Sequence, residues 1–257
     1  MSSRRGFTII ELLVVIGIIA ILIAILLPLG MMVRRNGQRV VCSSQMRQVW
    51  LALRMYADEN RGWLPAGAQS GRPVEWDWVH WQAGRDINHS AIASHLGKSF
   101  KVLRCPADDF QNRHDWDMRE GPYPFSYAVN HQLCGYRTSP ATWSVEPCKL
   151  QAVRWPQFVM LLADVTAPWQ GNWAPYTAGP DEAPSARHDR CGELNRSFSQ
   201  ILLGRANVIF VDGHYEFLER WQTTDPLRGD PRWQFWSEPV HHPPDWKRPP
   251  CPWVRVP

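Results

Sequence analysis

The sequence predicts an α+β fold, a long N-terminal helix packed on a small antiparallel sheet with long Trp- and Pro-rich loops. Two observations lead there. The first is an apolar run from Phe7 to Val33, interrupted by a single charge at Glu11, that passes into an amphipathic pattern reaching Glu59. The second is a pair of short apolar runs of strand length, 159–163 and 206–211, the latter ended by Asp212-Gly213 and followed by Tyr215, Phe217 and Leu218. Asp-Gly between two β-prone runs is a hairpin signal. A helix followed by such strands suits a helix laid across an antiparallel sheet.

The apolar run decides the first element. About 20 apolar residues in a helix cross the hydrocarbon core of a bilayer, so Phe7 to Val33 is long enough to span. A secretory signal would carry an apolar region of only ~7–15 residues and a small-residue cleavage site. A plain membrane anchor leaves Glu11 unexplained, because a charge in a bilayer interior costs on the order of 2.5–3.5 kcal/mol and calls for a partner. Arg4 and Arg5 precede the span while Arg34, Arg35 and Arg39 follow it, so charge alone leaves the orientation open.

Pro28 within the run removes a backbone hydrogen bond and predicts a kink or loosening, with Gly30 beside it. Beyond it Val41, Met46, Val49, Leu53 and Tyr56 recur at near-helical spacing, and Gln38, Arg39, Arg47, Gln48 and Arg54 fall on the other sides. Asn60-Arg61-Gly62 marks the helix stop. A helix from Phe7 to Glu59 would be on the order of 80 Å long, and its outer half is expected to pack on the globular part.

Gly6-Phe7-Thr8 after two arginines, Glu11 fifth counting from Phe7, and Pro28 some twenty residues on resemble the processing segment of type IV prepilins and type II secretion pseudopilins. The resemblance implies a leader at 1–6, cleavage between Gly6 and Phe7, N-methylation of Phe7, and pairing of Glu11 with the Phe7 amine of a neighbouring subunit. It also implies the partners: a prepilin peptidase/N-methyltransferase, other pilin or pseudopilin subunits, a pilus or secretion assembly platform, and the membrane. The short leader would stay cytoplasmic and the globular part would be exported from the inner membrane. The domains follow as leader 1–6, transmembrane and filament-core helix 7–33, amphipathic continuation 34–60, exported globular domain 61–225 and a Pro/Trp-rich strap 226–257.

Further stretches resemble pilin-like proteins with a downstream His-spacer-Asp-Gly element. They are Cys42 to Pro65, Leu103-Arg104-Cys105-Pro106-Ala107-Asp108-Asp109, Ser126-Tyr127-Ala128-Val129-Asn130 and Trp155 to Asp164. In that group the histidine lies about ten residues before the Asp-Gly. Here His188 and Asp212 are 24 apart, with the insertion over Asp189 to Arg205. A looped-out insertion would keep the two in reach.

His188, Asp212 and His214 are acceptable ligands for a divalent ion, which is the one cofactor the sequence suggests. The plainer reading is preferred: Asp212 caps the turn, Gly213 supplies positive φ, and the histidines make hydrogen bonds. No Gly-x-Ser-x-Gly, Walker loop, His-Glu-x-x-His or Cys-x-x-Cys occurs, so no catalytic residue and no enzyme is expected. With a net charge of +4 and no dense basic cluster, nucleic acid is not expected as a partner.

Six cysteines, at 42, 105, 134, 148, 191 and 251, lie past the span, on the side where export would favour disulfides. They allow 15 complete pairings. Cys134 with Cys148 is the natural short loop, against a reading in which Cys42 is a small helix-face residue and others stay buried thiols. The 15 tryptophans are read mainly as plugs holding loops to the sheet, each burying ~150–250 Å². The prolines from Pro226 to Pro257 exclude regular helix or central strand there. Two functions stand. One is a subunit that polymerises through its N-terminal helix. The other is a membrane-anchored surface-binding module for polysaccharide or protein that does not polymerise.

Overall fold

A computed structural model describes residues 9–108, 123–139, 142–165, 172–173, 184–189 and 204–219. Gly6, Phe7 and the strap 226–257 lie outside the described residues.

Helix α1 is continuous over Ile9–Glu59, about 77 Å at 1.5 Å per residue. The helix assignment runs unbroken through position 28, where proline must leave one backbone carbonyl without its intrahelical donor. Two halves of α1 meet different surroundings. The described side chains from Ile9 to Arg35 are exposed, including a nearly unbroken series of Ile, Leu, Val and Met, and this half is apolar and long enough to cross a membrane. From Cys42 onward one stripe is buried: Cys42, Met46, Val49, Leu53 and Ala57, with Ala52 beside it. Steps of four and three residues keep that stripe on one face, and burying each Met or Leu contributes about 1.5–3 kcal/mol.

One expected member is displaced. Val41 is 48 % exposed, and Cys42 takes the buried position. Counting back from Met46 in a helical step of four lands on 42, so the small thiol faces the domain and the valine does not. The helix ends where expected: Arg61 and Gly62 both have positive φ, and the Gly62 amide reaches back to the Ala57 carbonyl at 2.7 Å.

The sheet has the order β5-β1-β4-β6-β7, from β1 (Tyr127–Asn130), β4 (Met160–Asp164), β5 (Asn172–Trp173), β6 (Arg205–Phe210) and β7 (Tyr215–Glu219). Strands β1, β4, β6 and β7 pair antiparallel, and the two-residue β5 joins the edge of β1 in parallel. A short helix α2 (His131–Cys134) follows β1 and leads to a separate hairpin, β2 (Tyr136–Ser139) with β3 (Thr142–Val145).

Side-chain alternation gives the sheet two faces. Tyr127, Val129, Leu162, Ile209 and Val211 join the helix stripe in the main core, while Ala128, Met160, Ala163, Val165, Val208, Phe210 and Leu218 form a second apolar cluster. A register shift between Met160 and Leu162 marks an irregularity in β4, so Leu162 lies in the main core and Asp164, two residues on, on the same side of the strand. Loops add aromatic mass: Trp78 is fully buried, and Trp81 donates Nε1–H to the Ala68 carbonyl at 2.8 Å while meeting Tyr123 edge-on at 5.3 Å. The Cys134–Cys148 bridge is not formed; both are free thiols, as are Cys42 and Cys105.

The β6–β7 turn is fastened to the helix. Trp50 donates Nε1–H to the Val211 carbonyl at 3.1 Å, and its indole packs against Gly213, whose φ is +93°. A Cβ at 213 would sit 2.5 Å from Trp50 Cζ2. Gly213→Ala is therefore expected to destabilise the chain by about 2–4 kcal/mol, from positive-φ strain and overpacking together. Urea unfolding of the detergent-extracted chain checks this, and an unchanged midpoint would refute it.

Candidate functional site

Among the described residues, the predicted ligands fall in two regions, the hairpin turn and a buried cluster under α1. At the turn, the Asp212 carboxylate accepts from the His214 amide at 3.1 Å and lies 2.6 Å from its Nδ1, while His214 Nε2 is 3.2 Å from Glu216. His214 also stacks on Phe210 with ring centroids 4.2 Å apart. The Asp212 and His214 side chains are about one-third exposed.

His188 belongs to the other region. Its Nε2 lies 3.1 Å from Cys105 Sγ and 3.6 Å from Asp164 Oδ2. The fourth member is Cys42, whose Sγ is 3.6 Å from Asp164 Oδ2. One ligand atom from each of Cys42, Cys105, Asp164 and His188 lies within 4.8 Å of every other, and all four residues are buried. The structure thus groups His188 with two sulfurs and a strand carboxylate, and puts Asp212 and His214 together at the turn.

Each member arrives from a different segment for a local reason. Cys42 is the first residue of the buried helix stripe. Asp164 ends β4, where the irregularity aims it at the helix. Cys105 follows the 3-10 turn Phe100–Leu103 and is held by its amide donating to Ser126 Oγ at 2.7 Å. His188 sits in a segment fastened to the end of β4 by a bridge between Val165 and Pro184 and by the Ser185 amide donating to the Asp164 carbonyl.

The surroundings direct donors at these atoms. Tyr215 donates its hydroxyl hydrogen to Asn207 Oδ1 at 2.7 Å, which fixes the amide so that Nδ2 points to Cys42 Sγ at 3.3 Å and Asp164 Oδ2 at 3.4 Å. The Tyr127 hydroxyl approaches Cys42 Sγ at 3.2 Å, and the Ala107 amide approaches Cys105 Sγ at 3.4 Å. Beside the cluster, Arg187 places Nη1 2.7 Å from Asp108 Oδ2 and 3.5 Å from Asp164 Oδ1, with Nε donating to Ser185 Oγ at 2.7 Å.

Burial, and after it the contacts with Cys105 and Asp164, push the Cys42 thiol well above its ordinary range. Burial pulls His188 down to about 4, helped by the charges of Arg187 and Arg39, so its ring is neutral at pH 7. Because the folded value lies below the unfolded one near 6.5, the unfolded chain binds the extra proton first as pH falls. In the metal-free protein this contribution is intact above pH 6.5 and is lost between about 6.5 and 4, on the order of 3 kcal/mol at most. Urea unfolding of wild type and His188→Gln across that window checks it: the wild type should show the steeper loss, and parallel curves would contradict the assignment.

No local spacing in the sequence marks the cluster, because its members are scattered at 42, 105, 164 and 188.

Among known proteins, the model described as "Prokaryotic N-terminal methylation motif" matches residues 1–27. No curated protein and no solved structure matches the chain. The matched residues take in Gly6, Phe7 and Glu11 and stop short of Pro28, His188 and Asp212. The chain therefore carries a prepilin-type processing motif joined to a helix that can anchor it in a membrane, and this indicates a pilin- or pseudopilin-like role.

Proposed function

We propose that the chain is a pilin-like structural subunit, made as a precursor, cut between Gly6 and Phe7 and methylated at Phe7 by a prepilin peptidase. It then assembles through α1 into a type IV pilus-like filament or a type II secretion pseudopilus. The observation supporting this reading is the join between the motif at 1–27 and one continuous 51-residue helix. The N-terminal half of that helix offers an apolar surface on every side, while the C-terminal half is built into a folded domain. Such a helix serves as an anchor before assembly, and its exposed apolar side chains find a new dry environment among neighbouring copies afterward.

In this reading Glu11 meets the Phe7 amine of a neighbour and sets the register. The leader lies on the cytoplasmic side and the domain on the exported side of the inner membrane. No catalytic step is assigned to the chain, and its partners are other subunits, the peptidase and the assembly platform.

The intact mass and N-terminal peptide of the chain extracted from its native membrane test the proposal. A chain beginning at methylated Phe7 is expected. A chain still beginning at Met1 or Ser2 would refute processing and bring forward a membrane-anchored surface-binding module that does not polymerise.

A further inference from the structure

The buried cluster has a composition that packing does not require. Two thiols, an imidazole and a carboxylate converge where an apolar helix face meets a sheet, the place where aliphatic side chains would be cheapest. We infer that Cys42, Cys105, Asp164 and His188 form a structural Zn²⁺ site that ties α1 to the globular domain. This inference is independent of whether the chain is processed or polymerises.

Geometry supports it first. With Zn–S near 2.3 Å and Zn–N or Zn–O near 2.0–2.2 Å, a tetrahedral centre spaces its ligand atoms about 3.2–3.8 Å apart. The cluster shows 3.1 Å between Cys105 Sγ and His188 Nε2, 3.6 Å between His188 Nε2 and Asp164 Oδ2, and 3.6 Å between Cys42 Sγ and Asp164 Oδ2. No remaining separation exceeds 4.8 Å, so closing on an ion needs at most about 1 Å of contraction at the widest edge. A packed core of unrelated side chains has no reason to set four ligand atoms at these spacings.

The donor set names the ion class. Thiolate sulfur with imidazole nitrogen suits Zn²⁺ and not Mg²⁺ or Ca²⁺, which take oxygen ligands. Four protein ligands, none with exposure above 5 %, complete a closed tetrahedral shell with no place for water, the arrangement of a structural site and not of a catalytic one.

The surroundings fit the bound state. Two thiolates, a carboxylate and Zn²⁺ sum to one negative charge, next to the Arg187 guanidinium, 3.5 Å from Asp164 Oδ1. Asn207 Nδ2 donates toward Cys42 Sγ and Asp164 Oδ2, and the Ala107 amide donates toward Cys105 Sγ. Donors aimed at ligand atoms are how proteins hold a metal's ligands in place. The mechanical consequence follows from position: Cys42 lies nine residues past Val33, about 14 Å along the helix from the end of the apolar half. A metal there locks the emerging helix to the loop at 105, the end of β4 and the segment 184–189 together.

The test uses the full chain in detergent and reducing buffer, stripped with chelator and titrated with Co²⁺, then Zn²⁺. A single equivalent of Co²⁺ should give the intense visible bands of a tetrahedral site and thiolate-to-cobalt charge transfer in the near ultraviolet, both erased by Zn²⁺. Asn207→Ala should weaken Co²⁺ binding by ~10–100-fold, while the double variant Asp212→Ala, His214→Ala should bind as wild type. His188→Ala and Cys105→Ala should lose the tetrahedral spectrum. Because a misfolded variant would lose metal too, wild type is also melted: chelation should lower its Tm and Zn²⁺ restore it.

Two results would overturn the site. One is the absence of a tetrahedral cobalt spectrum together with a Tm indifferent to chelator and Zn²⁺. The other is a Cys42–Cys105 disulfide, found by peptide mapping of the chain taken from its native host without reductant.

Discussion

Replacing Glu11 by alanine is expected to leave the chain in the membrane and remove it from any filament. The two halves of that result come from opposite effects of one carboxylate. In a bilayer, Glu11 is a liability of up to about 3 kcal/mol, so its loss strengthens anchoring. In the helix bundle proposed above, the same group would gain a cation, the Phe7 amine of the next subunit, in a low-dielectric setting where pairing is strong. Removing it leaves that amine buried and uncompensated, a penalty of several kcal/mol repeated at every subunit contact. Glu11→Gln, which keeps the shape and drops the charge, should fail in the same way. The measurement is the split of the protein between a sheared surface fraction and the membrane fraction. Wild-type amounts of the alanine variant in sheared filaments would sink the register role.

Arg187→Met is expected to be the most damaging single change within the domain. The side chains of Arg187, Asp108 and Asp164 are 5 %, 3 % and 0 % exposed, so the guanidinium is the buried cation beside two buried carboxylates. Removing one partner of such a pair costs about 3–5 kcal/mol, because what remains is a buried charge and not merely a lost contact. Whole domains are stable by only about 5–15 kcal/mol, so the variant should unfold at a much lower urea concentration. Arg187→Lys keeps the charge but cannot reach Asp108, Ser185 and the Val165 carbonyl at once, as Arg187 does, and should fall between the two. A shift of under about 1 kcal/mol for the methionine variant, the range of a solvent-exposed pair, would show that the arginine is not needed to hold the carboxylates.

A His-spacer-Asp-Gly element invites grouping His188 with Asp212 and His214, and the structure divides the three between the cluster and the turn. Asp212 and His214 do meet, being two residues apart on one turn. His188 finds its partners in Cys105 and Asp164 instead, because its segment is stitched to the end of β4 and not to the hairpin loop. Similarly, Cys134 and Cys148 are neighbours in sequence order yet stay thiols, while Cys42 and Cys105, 63 positions apart, converge.

What the sequence determined alone was everything carried by near-neighbour periodicity. The extent of α1 to Glu59, the strands β4 and β6 and the Asp212-Gly213 hairpin all express repeats of 3.6 or 2 residues, or a turn chemistry complete within four positions, while the motif within residues 1–27 is legible only as a resemblance. Tertiary structure alone decided that Cys42 and not Val41 faces the domain, and that a helix, a loop, a strand end and the 184–189 segment deliver four ligand atoms to one place. The physical reason is that such a cluster depends on the phase of a helix against a sheet and on where an irregularity in β4 turns Asp164. A shift of one residue in either would disperse the four, and neither phase is written in the spacing of the residues themselves.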